Sequence, residues 1–258
     1  MNAMSKRSLF YPYTIENVHP GFSIDCVILG FHKKKLWVLL NKFDISKYWQ
    51  LPGGFMFKNE SSDEAVKRIL EQRTGLKDIY LKQFHLFTDP ARTVMEQNIE
   101  YVKGNADRST PSSAEEQWFL QRFISLGYYA FVKYDDIHLS KVEEDMTKWF
   151  DIDHLPSLYS DHENIIKTSL ETIRSLLPVI PVGYELLPEK FAMSELRRIY
   201  EIILNKTLDR RNFQRKVLST GVIIQLDEIK STSAYNPSIL YTFDKDKKDT
   251  IDHTLFLM

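Results

Sequence analysis

The stretch Gly54–Leu76, GFMFKNESSDEAVKRILEQRTGL, decides how the first half of the chain folds. It follows Leu51–Pro52–Gly53, a turn signal that closes one element and opens the next. Ser61–Ser62–Asp63 then stands just ahead of Ala65, Val66, Ile69 and Leu70, whose spacing predicts one apolar face of a helix. Gly75 ends that periodicity. Working outward, Phe22–Leu29 and Leu36–Leu40 are short apolar runs separated by the turn-like HKKK, the pattern of a hairpin. Leu81–Phe87 and Phe123–Val132 read as further strands. A second helix starts at Asp161, whose side chain can cap it, with Ile165, Ile166, Leu170 and Ile173 on one face. The class is α+β.

Between these elements runs a polar stretch, Asp89–Gln121, centred on KGNADRSTPSS. Its composition predicts a disordered insertion, with a lid over a ligand as the alternative. Pro178, Pro181 and Pro188 then interrupt the chain, so residues 178–188 read as a linker between a domain at 20–177 and another at 189–245. In the second domain, Leu196, Ile199, Tyr200 and Ile203 give Glu195–Leu204 an inward face. A short turn, Asn205–Leu208, leads to another helix from Asp209, and VIIQL and ILYTF follow as two strands. Helix, tight turn, helix and β-wing is the order of a winged helix-turn-helix.

Composition sets the outer limits. The 258 residues are 43% hydrophobic, 27% charged and 13% aromatic, a globular rather than a disordered balance. The one cysteine, Cys26, lies in the apolar run DCVILGF and reads as a core thiol of a reducing compartment. No apolar run approaches the ~18 residues of a membrane span, and the N-terminal residues lack a signal-peptide pattern, so a cytoplasmic protein without membrane contact is expected. Net charge is −1, yet residues 206–216, KTLDRRNFQRK, carry five positive charges against one negative. Such a local stripe is an electrostatic footprint for nucleic acid.

Gly54, Glu60, Arg68, Leu70, Gly75 and Leu76 stand at the spacing of the Nudix box, and Trp49–Gln50–Leu51–Pro52–Gly53 is similar to that family's lead-in. The resemblance implies a Nudix α/β/α sandwich with a mixed sheet. Where the family places three helix glutamates, this chain has Ile69, Gln72 and Arg73. Those carboxylates hold magnesium, a hard cation that takes oxygen ligands. Ile69 cannot coordinate, Gln72 is a weak neutral donor, and Arg73 repels a cation. Glu71 lies about 100° around the helix from a ligand position. The expectation is therefore no catalytic residue, no metal and no cofactor, with Glu60 and Arg68 kept as a loop-to-helix ion pair. A hydrolase of a nucleoside diphosphate derivative such as ADP-ribose, with relocated ligands, is the alternative, and a non-catalytic adaptor for protein contacts is a third reading.

The segment Leu187–Ile223, with WFDIDHLP and YSDHENII before it, resembles the Nudix-related transcriptional regulators, and the likeness runs roughly from Gly21 to Phe243. That group includes repressors of NAD metabolism and sugar regulators, among them an L-arabinose regulator of gut Bacteroidetes. Ala192 departs from it, since a Ser or Thr cap is common there, unless the helix begins at Ser194. The resemblance implies a ligand-responsive regulator of double-stranded DNA, working as a homodimer. A free pentose such as L-arabinose is favoured as effector over an ADP-ribose-like nucleotide sugar, because a diphosphate wants a metal or several basic groups. Candidate lining residues are Asp25, Lys42, Trp49, Arg122 and Tyr128. On the helix from Asp209, Phe213 and Val217 mark the buried face, so Arg211, Gln214, Arg215 and Leu218 face outward. Arg and Gln there suit base edges. Arg210, Lys216 and Lys206 suit phosphates, and Lys230 and Thr232 of the wing add backbone contacts.

Overall fold

The expected hairpin forms from β1 (Val18–His32) and β2 (Lys35–Phe43), antiparallel with Leu29 opposite Val38 and His32 opposite Lys35. Lys33 and Lys34 make its two-residue turn at φ 49° and 62°. That left-handed geometry is the one a twisted hairpin needs and that Asn-Gly reaches more cheaply. The structure is a computed structural model that describes residues 13–43, 46–77, 79–105, 114–136, 145–177, 186–231, 237–244 and 246. β3 (Gly53–Phe57), β4 (Leu81–Phe87), β5 (Ile124–Lys133) and β6 (Asp145–Asp151) complete a six-stranded sheet. Its order is β4-β5-β1-β2-β6, with β3 paired to β1 off that path.

β3 falls where the glycines predict only a turn. A Cβ on Gly53 would stand 2.5 Å from Asp25 Oδ1, so the residue without a side chain lets the strand approach β1. Helix α1 (Ser62–Thr74) then follows as expected. Ser61 accepts from the Glu64 backbone N–H while the Glu64 carboxylate reaches back to the Ser61 N–H, a reciprocal capping box. Gly75 closes the helix at φ 73°, donating to the Glu71 carbonyl.

The disordered-insertion reading of Asp89–Gln121 is corrected over its described parts. α2 (Met95–Asn105) and α3 (Ala114–Phe119) lie inside it, and residues 106–113 of its polar centre fall outside the described residues. These helices hold Val102 and Trp118 in a buried cluster with Tyr13, Val18 and Phe123. Phe55 packs edge-on against Trp118 at 4.7 Å between ring centroids. The aromatics that make the segment ordered are too sparse to show a period among its polar residues. Helix α4 (His162–Leu176) has the expected buried face, with Ile165, Ile166 and Ile173 at most 2% exposed.

By compactness the chain forms two units: residues 1–28, 39–130 and 138–169, and residues 29–38, 131–137 and 170–258. The first was expected as 20–177 and the second as 189–245; the linker expected at 178–188 lies outside the described residues over 178–185. In the second unit, β7 (Phe191–Ala192), β9 (Pro237–Phe243) and β8 (Ile223–Ser231) make a three-stranded antiparallel sheet in that order. α5 (Met193–Leu204) has Ala192 at its N-cap, so it does not start at Ser194; Ala192 has no capping side chain, and Glu195 instead receives its N–H at 2.8 Å. Asn205 turns the chain at φ 50°, and α6 (Arg210–Ser219) starts after Asp209. No helix among the described residues is long and apolar enough to cross a membrane.

Candidate functional site

The loop before α1 is held by the ion pair that the sequence predicts. Arg68 Nε donates to Glu60 Oε2 at 3.0 Å, and its terminal nitrogen donates both to Glu60 Oε1 and to the Phe55 carbonyl. Glu60 in turn receives the Phe57 N–H at 2.7 Å, and the guanidinium lies 4.1 Å over the Phe57 ring. Every remaining carboxylate of the box is already engaged: Glu71 with Lys77 at 2.7 Å, Asp63 with the Tyr128 hydroxyl, and Glu64 in the capping box. Ile69 is fully buried and packs beside Gly54, whose added Cβ would meet it at 3.1 Å. Arg73 donates to the Gly53 carbonyl and lies 4.9 Å over the Phe43 ring. This donor set does not fit magnesium, and among the described residues no cluster of His, Cys, Asp and Glu could hold a metal.

Beside Arg73 the first unit encloses a cavity of about 110 Å³. Its polar wall is a buried network assembled from β1, β5, the loop before α2 and the start of α4. The Arg92 guanidinium makes a two-pronged pair with Asp161, at 3.0 and 2.9 Å, and gives a third bond to the Phe123 carbonyl at 2.8 Å. It also lies 3.9 Å from Asp25, which accepts from the Ser125 hydroxyl. A buried charge is tolerated when paired and hydrogen-bonded in this way. His162 Nδ1 receives the Leu51 N–H at 2.9 Å, and Nε2 faces Asp25 Oδ1 at 3.7 Å. Burial lowers the His162 pKa against the opposing pull of Asp25, so the ring is neutral, with its proton on Nε2 toward Asp25. Tyr159, which packs edge-on against His162, donates to Asn98 Oδ1. Cys26 is buried and burial raises its pKa, as a core thiol requires.

In the second unit, Asp209 caps α6 by accepting the Asn212 N–H at 2.8 Å. Phe213 and Val217 are buried at 7% and 2% exposure, and the Phe213 ring meets Tyr200 edge-on at 5.3 Å. Arg210, Arg211 and Arg215 stand exposed on the outer side.

A NUDIX domain model matches residues 19–169, more than half of the chain. The chain belongs to the Nudix family. Residues 183–243 match the NrtR DNA-binding winged helix domain, so this Nudix protein carries a DNA-binding domain of the NrtR type. The ADPR responsive transcriptional repressor NtrR of Acinetobacter baylyi is 23% identical over 231 residues, covering 87% of this chain and 82% of that protein. Shewanella oneidensis NrtR has the same fold, with a TM-score of 0.65 at 22% identity over 88% of this chain and 96% of that one. The same protein complexed with a 27mer DNA gives 0.64 at 23% identity, covering 88% and 95%.

Of the effector residues expected in this Nudix domain, only Asp25 lines the cavity. Tyr128 is buried; its hydroxyl donates to Asp63 and lies 3.0 Å from the Ser62 hydroxyl at the start of α1. Trp49 packs its ring against Phe150 at 4.6 Å, Arg122 is exposed, and Lys42 lies half-buried on β2. Asp161 was expected to cap α4; its two oxygens receive Arg92. The sequence reading missed Arg92, Asn98, Tyr159 and His162. YSDHENII was the available signal, since an aspartate and a histidine stand together at the start of an amphipathic helix there. On α6, Gln214 is held by the Tyr241 hydroxyl at 3.2 Å, and Arg215 donates to Asn212. Lys206 and Lys216 border a second cavity. Lys230 lies on β8, its side chain outside what the structure describes, and Thr232 lies outside the described residues.

Proposed function

We propose that this protein is a transcriptional repressor that reads double-stranded DNA with α6 and responds to ADP-ribose bound in the cavity beside Asp25, Arg73 and His162. The observation that carries this reading is the pairing, in one chain, of a Nudix box occupied by Arg73 with a capped basic helix followed by a β-wing. Arg211 and Arg215 are the base readers, Arg210 with Lys206 and Lys216 the phosphate contacts, and Gln214 the brace between helix and wing. A homodimer reading paired half-sites goes with this arrangement.

A free pentose as effector finds no support among the relatives reported above; the Acinetobacter baylyi repressor is ADPR responsive. Arg73 also answers the objection to a diphosphate, since it brings a fixed cation to the cavity wall. This volume is below the ~300–1,000 Å³ of pockets that surround a drug-sized ligand, so the cavity takes one end of ADP-ribose and leaves the rest outside it. No pyrophosphatase activity is expected.

Thermal shift with ADP-ribose and with L-arabinose tests the effector, because a ligand of the folded state raises the melting temperature by mass action. ADP-ribose should raise it and release bound DNA, and Arg73→Ala should abolish both effects. Stabilisation by arabinose alone, or magnesium-dependent hydrolysis of ADP-ribose above ~1 per second, would overturn the reading.

A further inference from the structure

The second unit holds a cavity of about 400 Å³ between the end of α4, α5 and α6, larger than the one in the Nudix domain. Its floor is apolar: Leu177, Tyr200 and Phe213 are each at most 7% exposed, with Leu204 and Leu208 beside them. Its rim carries Arg174, Lys206 and Lys216. Arg174 is anchored through Nε, which donates to the Ile203 carbonyl at 2.6 Å. Lys206 and Lys216 have no ion-pair partner among the described residues. Glu201 is taken by Arg197, Arg198 and the Leu208 N–H. Asp209, an exposed anion of the rim, caps α6 through the Asn212 N–H, so the lining carries three cations against one carboxylate.

An apolar floor beneath unpaired cations selects a ligand of matching polarity: a flat or aliphatic body that leaves water, and an anionic head at the mouth. We propose that this cavity is a second ligand site, for a small aromatic or aliphatic phosphate ester. Lys206 and Lys216 bind its phosphate, and Tyr200 and Phe213 receive its body. Because the same lysines are the phosphate contacts of the DNA-binding reading, an occupant weakens DNA binding; that consequence rests on the reading, whereas the site itself does not.

The test uses the full chain without DNA. Phenyl phosphate, inorganic phosphate and phenol are titrated separately while amide resonances are followed. Phenyl phosphate should bind most tightly and move the resonances of residues 204–216. Lys206→Ala with Lys216→Ala should weaken it by at least about tenfold, the loss of two charge-assisted hydrogen bonds, at an unchanged melting temperature. The same charge change at exposed Lys82 and Lys167 should leave binding as it was. Equal binding of inorganic phosphate and phenyl phosphate would mean that the lysines recognise phosphate alone, as they would on a DNA backbone, and would overturn the proposal. So would resonance changes confined to the Nudix cavity, parental binding by the double variant, or no binding of phenyl phosphate in the millimolar range. Failure of ADP-ribose to bind, or of DNA to bind, leaves these outcomes unaltered, so the readings fail separately.

Discussion

Arg92 and Arg211 carry the same charge and are used in opposite ways. Arg92 is 6% exposed at its side chain, and its guanidinium is held by two bonds to Asp161 and one to the Phe123 carbonyl, with Asp25 close by. Arg211 stands in solvent on α6, over a face whose neighbours are other cations. A buried charge survives only where its partners are already in place, so the Nudix cavity is shaped by groups that cannot turn to a ligand without breaking pairs. An exposed arginine on a rigid helix keeps its donors in water until a nucleic acid replaces that water. The cavity gains a fixed shape, and the helix gains free donors on a fixed frame.

Breaking the buried side should have the largest effect. Arg92→Ala leaves Asp161 and Asp25 facing each other without a cation, a class of change that costs about 3–5 kcal/mol. The expected result is a lowered urea midpoint for the Nudix domain, whereas Arg211→Ala on the α6 surface leaves that midpoint unchanged. Equal midpoints for parent and Arg92→Ala would show that the network contributes nothing to stability.

Phe213→Ala removes the ring that packs on Tyr200 and should cost the winged-helix unit about 3–5 kcal/mol, as core phenylalanines do. Circular dichroism and DNA binding should be lost together in that variant. Arg211→Ala and Arg215→Ala sharpen the contrast. Each should lower affinity for a cognate site by about 1–3 kcal/mol and relax base preference, without changing the melting temperature. An anisotropy titration on specific and random duplexes reads both quantities. Parental binding by both variants would remove α6 as the reader.

The pH response is smaller and has a fixed sign. Burial holds the folded His162 pKa below the ordinary value of 6.5, so the unfolded chain takes up its proton first as pH falls. Stability is therefore complete above about pH 6.5 and declines below it, until the folded His162 value is reached. Asp25, Asp161 and Arg92 face the ring, and the carboxylates oppose the shift without reversing it. His162→Asn should flatten the change in urea midpoint between pH 7.5 and 5.5. A parental slope in that variant would place the titration elsewhere. Smallest of all, Gln214→Ala should cost about 0.5–1.5 kcal/mol, the value of one side-chain hydrogen bond, and a Tyr241→Phe change should make it cost less.

What the sequence alone determined is local. The capping residues, the apolar face and Gly75 of α1 lie within one short segment, and Glu60 reaches Arg68 across a single turn of loop, so spacing was enough to read them. The helix-turn-helix order and the buried pair Phe213 and Val217 were legible for the same reason: helical period ties residues a few places apart to one face. Only the tertiary structure decided the cavity. Arg92 meets Asp161 across 69 positions, Ser125 meets Asp25 across 100, and Leu51 meets His162 across 111. No local pattern encodes such pairs, because they arise where separate strands and helices bury polar groups that must then find one another. Tyr128 shows the converse: its strand was legible, but which neighbour would take its hydroxyl depended on where α1 came to rest.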